Sequence, residues 1–245
     1  LLPADGSSRL FLKAELIDEN GKPVRTDDTS VVEFAAVDPS NPYAEVLREQ
    51  VRVTEGVAES EILANTVSGY YEVTARLLPQ TLPVKDTTVY VYPGDPTAIE
   101  MTSNSAFLKS GGLNSTEVDL VLKDRYGNIA SYRAYDVTLT VTGPGTIDVK
   151  DDDSEQVGIQ TKVYEGRLGM TLTSGESEGT AYVTASYGDV SGKVGVGVFD
   201  HIELELHPET TELVADGEVS TSVAVWAALP VSVVRRRDGG GVNRN

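Results

Sequence analysis

Residues 117–129 read EVDLVLKDRYGNI, and residues 11–23 read FLKAELIDENGKP. In both stretches apolar residues stand at every second position, and an Asp-x-x-Gly tetrapeptide follows. Alternation with a period of two is typical of a β-strand with one buried face, and glycine after aspartate favours a tight turn. Each stretch therefore predicts a half-buried strand that ends in a turn.

The two stretches belong to an internal repeat. Their offset is 106 residues, and a later pair, GYYEVTA at 69–75 and GTAYVTA at 179–185, matches at an offset of 110. Four residues are therefore inserted in the second copy, and we place them around residues 143–145 and 151–153. A repeat of this length usually corresponds to one structural unit, so the sequence predicts similar units in series.

Each unit contains several short segments rich in Val, Thr, Tyr and Leu, separated by Gly, Pro, Asn and Asp. This pattern predicts an all-β protein built of two-layer sandwiches. We expect one sandwich in residues 1–96, a second in 97–200, the truncated start of a third in 201–234, and a disordered basic tail in 235–245. The best helical segment, Tyr43 to Gln50, is interpreted as an excursion between strands.

The junctions between the units are short. Pro93-Gly94-Asp95-Pro96 ends the first copy, and Phe199-Asp200 ends the second at the matching place. Proline restricts the backbone of such a link, and two to four residues leave little freedom. The sequence therefore predicts sandwiches arranged as an elongated, semi-rigid rod.

Composition excludes several classes of protein. The 245 residues include no cysteine, which excludes disulfides, thiolate zinc sites and cysteine nucleophiles. No apolar run approaches the roughly 20 residues of a membrane-spanning helix, so we expect no membrane insertion within this chain. With 38 acids against 20 bases and a net charge of −18, nucleic acid is a poor partner. We expect a monomer.

Acidic residues offer two candidate calcium sites. Asp18 and Asp124 recur at the same place in the repeat, where each can coordinate calcium or close its turn by accepting backbone hydrogen bonds; we favour the turn. The cluster Asp151, Asp152 and Asp153 has the hard oxygen ligands that calcium takes, but its spacing fits no EF-hand loop. We favour a solvated loop there.

The sequence predicts no catalytic, cofactor-binding or metal-binding site, and hence no enzyme. His201 and His207 stand about 20 Å apart if their segment is a strand, too far for a common metal. Histidine is absent from the two complete units, which removes the usual base of a triad. Trp226 is expected to face away from a core. Five tyrosines are candidates for a contact surface: Tyr70, Tyr71, Tyr126, Tyr132 and Tyr135.

The combination of motifs resembles the bacterial immunoglobulin-like domains of the invasin and intimin group, which occur as tandem arrays in surface adhesins. The resemblance rests on an Ala4-Asp5-Gly6 opening, the Asp-x-x-Gly turn, a glycine that starts a central strand and the Gly-x-x-x-Val-Thr-Ala strand. The second copy departs from it with Ser110-Gly111-Gly112 in place of the opening and Ile129-Ala130 in place of Pro23-Val24. The resemblance implies a secreted or surface-displayed spacer domain.

We therefore expect a structural spacer of an extracellular or cell-surface, adhesin-like protein from a bacterium or archaeon. An unknown receptor or glycan would be contacted by regions outside this chain. Two alternatives remain: a binding module that contacts a receptor or glycan through loops at one end of a sandwich, and an accessory region of a large secreted hydrolase.

Overall fold

The computed structural model describes residues 1–37, 45–46, 49–79, 84–201, 203–208 and 223–228. Every element of regular secondary structure among these residues is a β-strand, which confirms the all-β prediction. The same residues contain no helix long and apolar enough to cross a membrane.

In the described part of the first sandwich there are eight strands: β1 (Leu2–Pro3), β2 (Arg9–Glu15), β3 (Val31–Val37), β4 (Glu45–Val46), β5 (Gln50–Arg52), β6 (Val57–Leu63), β7 (Gly69–Leu78) and β8 (Lys85–Tyr92). One sheet has the order β1-β8-β7-β3-β5, and the facing sheet has the order β2-β6-β4. The first strand, β1, pairs with β8 in parallel, while the other pairs are antiparallel.

Nine strands form the second sandwich: β9 (Ala98–Ser103), β10 (Phe107–Lys109), β11 (Ser115–Lys123), β12 (Tyr135–Thr142), β13 (Gly145–Ile147), β14 (Ile159–Val163), β15 (Arg167–Ser174), β16 (Gly179–Tyr187) and β17 (Val190–Phe199). Its sheets have the orders β10-β17-β16-β12-β14 and β13-β15-β11-β9. Every strand of the first sandwich has a counterpart here in the same order. The added strand is β9.

Alternation along the strands decides which residues form the two cores. Leu12 in β2 and Val118 in β11 are buried, and each sandwich has a separate hydrophobic cluster. Glu15, Glu72 and Asp119 are exposed on the outer faces, as the alternation predicts. Each core therefore lies between the two sheets of its own sandwich.

The repeat is also visible in strand register. Leu12 pairs with Ser60 across β2 and β6, and Val118 pairs with Met170 across β11 and β15. These residues are related by the two offsets of 106 and 110 that the sequence shows. The four-residue insertion accordingly lies between β11 and β15.

One prediction was wrong. In the segment from Tyr43 to Gln50, Glu45–Val46 is a strand whose residues pair with Leu63 and Ile62 of β6, and Gln50 begins β5. The segment contains strong helix formers, but intrinsic preference is weak compared with pairing along an available sheet edge.

Among the residues described after the second sandwich there are two strands, β18 (Glu203–Pro208) and β19 (Val223–Ala228). Leu206 pairs with Val225, and in the second sandwich Met101 pairs with Leu120. Both partners are shifted by 105 residues, so β18 and β19 repeat the register of β9 and β11. The basic tail predicted for residues 235–245 lies outside the described residues.

Candidate functional site

The Asp-x-x-Gly turn has the same geometry in both sandwiches. The N–H groups of Tyr126 and Asn128 donate to Asp124 Oδ1 at 2.8 and 3.0 Å. The corresponding N–H groups of residues 20 and 22 donate to Asp18 Oδ1, both at 2.9 Å. The glycine of each turn has a positive φ of 78° or 85°. The prediction that these aspartates close their turns is confirmed.

In the second sandwich this turn is also fastened to the link. Asp124 Oδ2 accepts the Gly94 N–H and the Asn128 amide Nδ2, each at 2.9 Å. Burial raises the pKa of the Asp124 carboxyl, but hydrogen bonds from the Asn128 side chain and from backbone N–H groups outweigh it. The pKa therefore lies below its usual value, and the carboxylate is ionised at neutral pH.

Two side chains of the turn reach the first sandwich. Asn128 Oδ1 accepts the Ser68 N–H at 3.0 Å, and Asn128 Nδ2 donates to the Thr66 carbonyl at 2.8 Å. The Tyr126 hydroxyl donates to the Asp5 carbonyl at 3.0 Å. Asn128 thus uses both ends of its amide across the junction, which fixes its orientation.

The loops that receive these bonds are held by their own sandwich. Asp5 accepts hydrogen bonds from Ser7 and Ser8, and bonds from the Ser8 side chain and N–H lower the pKa of Asp5 to about 2. The Tyr71 hydroxyl donates to the Val67 carbonyl at 2.9 Å from a buried ring. The loops that contain the receiving groups are therefore held in part by bonds within the first sandwich, which lowers the ordering cost of the contact.

Further contacts of the second sandwich reach the link and β8. The rings of Tyr92 and Tyr132 are stacked with centroids 4.4 Å apart. Arg133 forms an ion pair of 2.9 Å with Asp95 of the link. Pro96, next to Asp95, is buried. We call the contacts of Tyr126, Asn128, Tyr132 and Arg133 with the link and the first sandwich the joint.

The five tyrosines predicted as a contact surface do not form one. Tyr71 and Tyr135 are buried in separate cores, and Tyr70 is 68% exposed on β7, where it contacts Tyr90. Only Tyr126 and Tyr132 belong to the joint. Asn128, which the sequence placed only in a turn, is instead a principal contact. The sequence shows only that the copies differ at this position, with Lys22 in one and Asn128 in the other.

The aspartates of the cluster at 151–153 form hydrogen bonds and an ion pair within their own loop and with the start of β14. Asp151 Oδ1 accepts the N–H groups of Asp153 and Gln160 at 3.1 and 2.9 Å, and Asp152 pairs with Lys150. Within the described part of the chain, no group of three or more His, Asp or Glu residues is arranged to hold a metal ion.

The remaining candidates are the two histidines and Trp226, and the structure describes them only in part. His201 precedes β18, whereas His207 lies within it. The predicted outward orientation of Trp226 concerns a side chain outside the described residues. The joint is therefore the site that the described residues define best.

No protein-family model and no curated protein matches the sequence. Among solved structures, InvD of Yersinia pseudotuberculosis matches at 14% identity and a TM-score of 0.56, over 92% of this chain and 66% of that one. The Escherichia coli adhesin FdeC matches at 18% identity and a TM-score of 0.51, over 84% of this chain and 64% of that one. The chain has the bacterial immunoglobulin-like fold of the invasin and intimin type.

This chain spans just under two thirds of either immunoglobulin-like structure. A glycosyl hydrolase of family 2 from Bacteroides cellulosilyticus also matches, at 15% identity over 81% of this chain and 24% of that one. Its TM-score is 0.40.

Proposed function

We propose that the chain is part of the stalk of a cell-surface or secreted adhesin-like protein. Residues 1–96 and 97–200 are successive domains, and residues 201–234 open a third. The stalk holds a binding region outside this chain away from the cell, where that region meets its receptor or glycan. The chain itself carries out no catalysis.

The observation that carries the proposal is the joint. A short link restricts how far two domains separate, but it does not fix their angle. Asn128 and Tyr126 add hydrogen bonds to backbone groups of the first sandwich, and Asp124 fastens the link at Gly94. Because hydrogen bonds weaken steeply when their angle changes, these bonds oppose a change in the angle between the two sandwiches. A stalk needs this property.

Charge supports the same function. Residues 1–97 carry 16 acids and 8 bases, and residues 98–200 carry 15 acids and 8 bases. Both parts are therefore strongly negative, so neighbouring stalks repel one another and stay soluble. The fold is consistent with this role, since FdeC is described as an adhesin.

Small-angle scattering on the 245-residue chain tests the shape that the proposal requires. Two sandwiches of about 40 Å each, placed end to end, give a maximum dimension of at least about 80 Å. Curves that stay the same from low to high salt would show that contacts, rather than charge repulsion, keep the particle extended. A compact particle would contradict a stalk.

Binding measurements separate a stalk from a binding module. The isolated chain is immobilised and exposed to cultured cells and to an array of glycans. A stalk gives no saturable binding in either experiment. Saturable binding that is lost when the loops at one end of a sandwich are replaced would overturn the proposal in favour of a binding module.

A further inference from the structure

One sheet edge differs between the two sandwiches. In the second, β11 pairs with β9 over six residues, from Val118 opposite Ser103 to Lys123 opposite Ala98. In the first, β2 pairs with β6 on one side, and its other edge has no strand among the described residues.

This difference changes the burial of equivalent core residues. Leu120 and Leu122 of β11 are fully buried, at 0% exposure. Their counterparts Ala14 and Leu16, at the end of β2, are only partly buried. The first sandwich therefore leaves apolar surface accessible where the second covers it.

The accessible surface forms a groove. Its volume is about 1020 Å³, and it lies between β2 on one side and β7 and β8 on the other. Apolar side chains line much of it, among them Leu10, Leu12, Leu16, Phe34, Val73 and Val89. In the second sandwich, Ile99 and Met101 of β9 pack against the corresponding core, with Ile99 only 8% exposed.

We propose that this groove accepts a β-strand that enters the first sandwich directly ahead of Leu1. The strand runs antiparallel to β2 and carries large apolar side chains at every second position. We base its placement on β9, which is separated from β10 by three residues. Leu2 pairs with Val91 as Leu108 pairs with Val198, so Leu1 occupies the place of Phe107.

Backbone hydrogen bonding favours a strand over a compact apolar ligand. In the second sandwich, the Asn104 N–H donates to the Glu117 carbonyl at 3.0 Å and the Thr97 N–H donates to the Lys123 carbonyl at 2.8 Å. The equivalent carbonyls belong to Phe11 and Ile17. An unpaired sheet edge of this kind is a template for an added strand, whose alternate side chains enter the groove.

One wall of the groove differs from its counterpart. Gly192 of β17 lies so close to β9 that an added Cβ would be 2.4 Å from the Ile99 carbonyl oxygen. Counting back from the paired residues Val91 and Val198, Lys85 takes this position in β8. Lys85 lines the groove and is exposed, but its Cβ stands where a Cβ on Gly192 would clash, so an added strand lies farther from β8 than β9 lies from β17.

The test grafts residues 97–106, TAIEMTSNSA, directly ahead of Leu1 in the full chain. The added strand should raise the melting temperature of the first sandwich by about 5 °C or more. It should also slow hydrogen exchange of the β2 amides by about tenfold or more, because the edge becomes paired. The matched control replaces the grafted isoleucine and methionine by aspartate.

Equal effects of the graft and its control would overturn the proposal, as would fast β2 exchange in the grafted protein. Two other occupants give distinct results. A dimer of the ungrafted chain that the graft abolishes would assign the groove to a second copy. Binding of the apolar dye ANS that the graft leaves unchanged would show that the strand does not enter the groove.

Lys85→Gly provides a second, independent variant. It restores the glycine of the second sandwich, so the graft should raise the melting temperature more in this background than in the wild-type background. Comparing grafted and ungrafted proteins in both backgrounds removes the direct cost of glycine in a strand. A graft effect that is the same in the two backgrounds would contradict placement of the strand beside Lys85.

Discussion

The first and second sandwiches contain the same turn and the same strand edge but use them differently. The turn at Asp18 is exposed, whereas Asp124 is buried and its turn carries the joint. The edge of β2 borders a groove, whereas the edge of β11 is covered by β9. The two copies therefore share the backbone of the turn and of the strand and differ in what contacts them.

In the turn, differences at two positions accompany the difference in contacts. Aspartate and glycine are kept in both copies because they close the turn. Just before the glycine, Asn20 corresponds to Tyr126, and just after it, Lys22 corresponds to Asn128. Among the described residues, Tyr126 and Asn128 of the second sandwich form hydrogen bonds to the neighbouring sandwich, and Asn20 and Lys22 of the first do not. A motif that sets the backbone can thus be constant while the side chains that it presents decide its role.

The largest expected effect contrasts the two cores. Leu122→Ala removes a fully buried side chain and should lower the free energy of unfolding of the second sandwich by about 2–5 kcal/mol. Leu16→Ala, at the equivalent place beside the groove, should cost the first sandwich roughly half as much, since Leu16 is only partly buried. Denaturant unfolding measures both. Equal losses would show that the open edge leaves the first core intact.

Next in size is the contrast between the two turns. Asn128→Ala removes hydrogen bonds to Asp124, Ser68 and Thr66, and should cost about 1–3 kcal/mol. Lys22→Ala changes an exposed residue at the equivalent place and should cost less than about 0.5 kcal/mol. Urea titration measures both variants. A cost for Lys22→Ala as large as that for Asn128→Ala would contradict a special role for the second turn.

A smaller effect concerns pH. The pKa of Asp124 is lower in the folded protein than the usual value near 3.9. Its ionised form therefore stabilises the fold fully above about pH 5, and this stabilisation is lost as the pH falls through the folded-state pKa. The stability difference between wild type and Asp124→Asn should be constant above pH 5 and shrink below pH 4. A difference that is unchanged down to pH 2 would contradict the assignment.

The smallest effect is expected for the exposed ion pair of the joint. Arg133 and Asp95 form an ion pair, but their side chains are 54% and 65% exposed. Arg133→Ala should therefore change the free energy of unfolding by less than about 1 kcal/mol, and added salt should remove the difference. A larger loss that persists in salt would show that Arg133 supports the joint by packing, for example against the Tyr135 ring, 5.2 Å away.

Local patterns predicted much of the fold. Alternation at Leu12 and Val118 identified β2 and β11, and the spacing of aspartate and glycine identified the turn that follows each. Gly56 and Gly166 recur at the same offset of 110 residues. Both have positive φ, and an added Cβ would be 2.0 Å from the Val24 carbonyl oxygen or 2.7 Å from that of Ala130.

The joint and the groove could not be predicted because both depend on what lies nearby in space. Nothing in the sequence near Asn128 indicates that Thr66 and Ser68 lie within hydrogen-bonding distance. In the same way, the alternation of β2 is that of a strand with one buried face, whether or not another strand covers its edge. The segment at Glu45–Val46 failed as a helix for a related reason, since β6 offered a distant partner.

The most direct test of the central claim is the relative orientation of the two sandwiches in solution. Residual dipolar couplings, measured for the strands of each sandwich in one aligned sample, give two alignment tensors. A fixed joint predicts tensors of equal magnitude and orientation in the wild-type chain, and unequal tensors in the double variant Tyr126→Phe, Asn128→Ala. Unequal tensors in the wild-type chain would contradict the joint and, with it, the stalk.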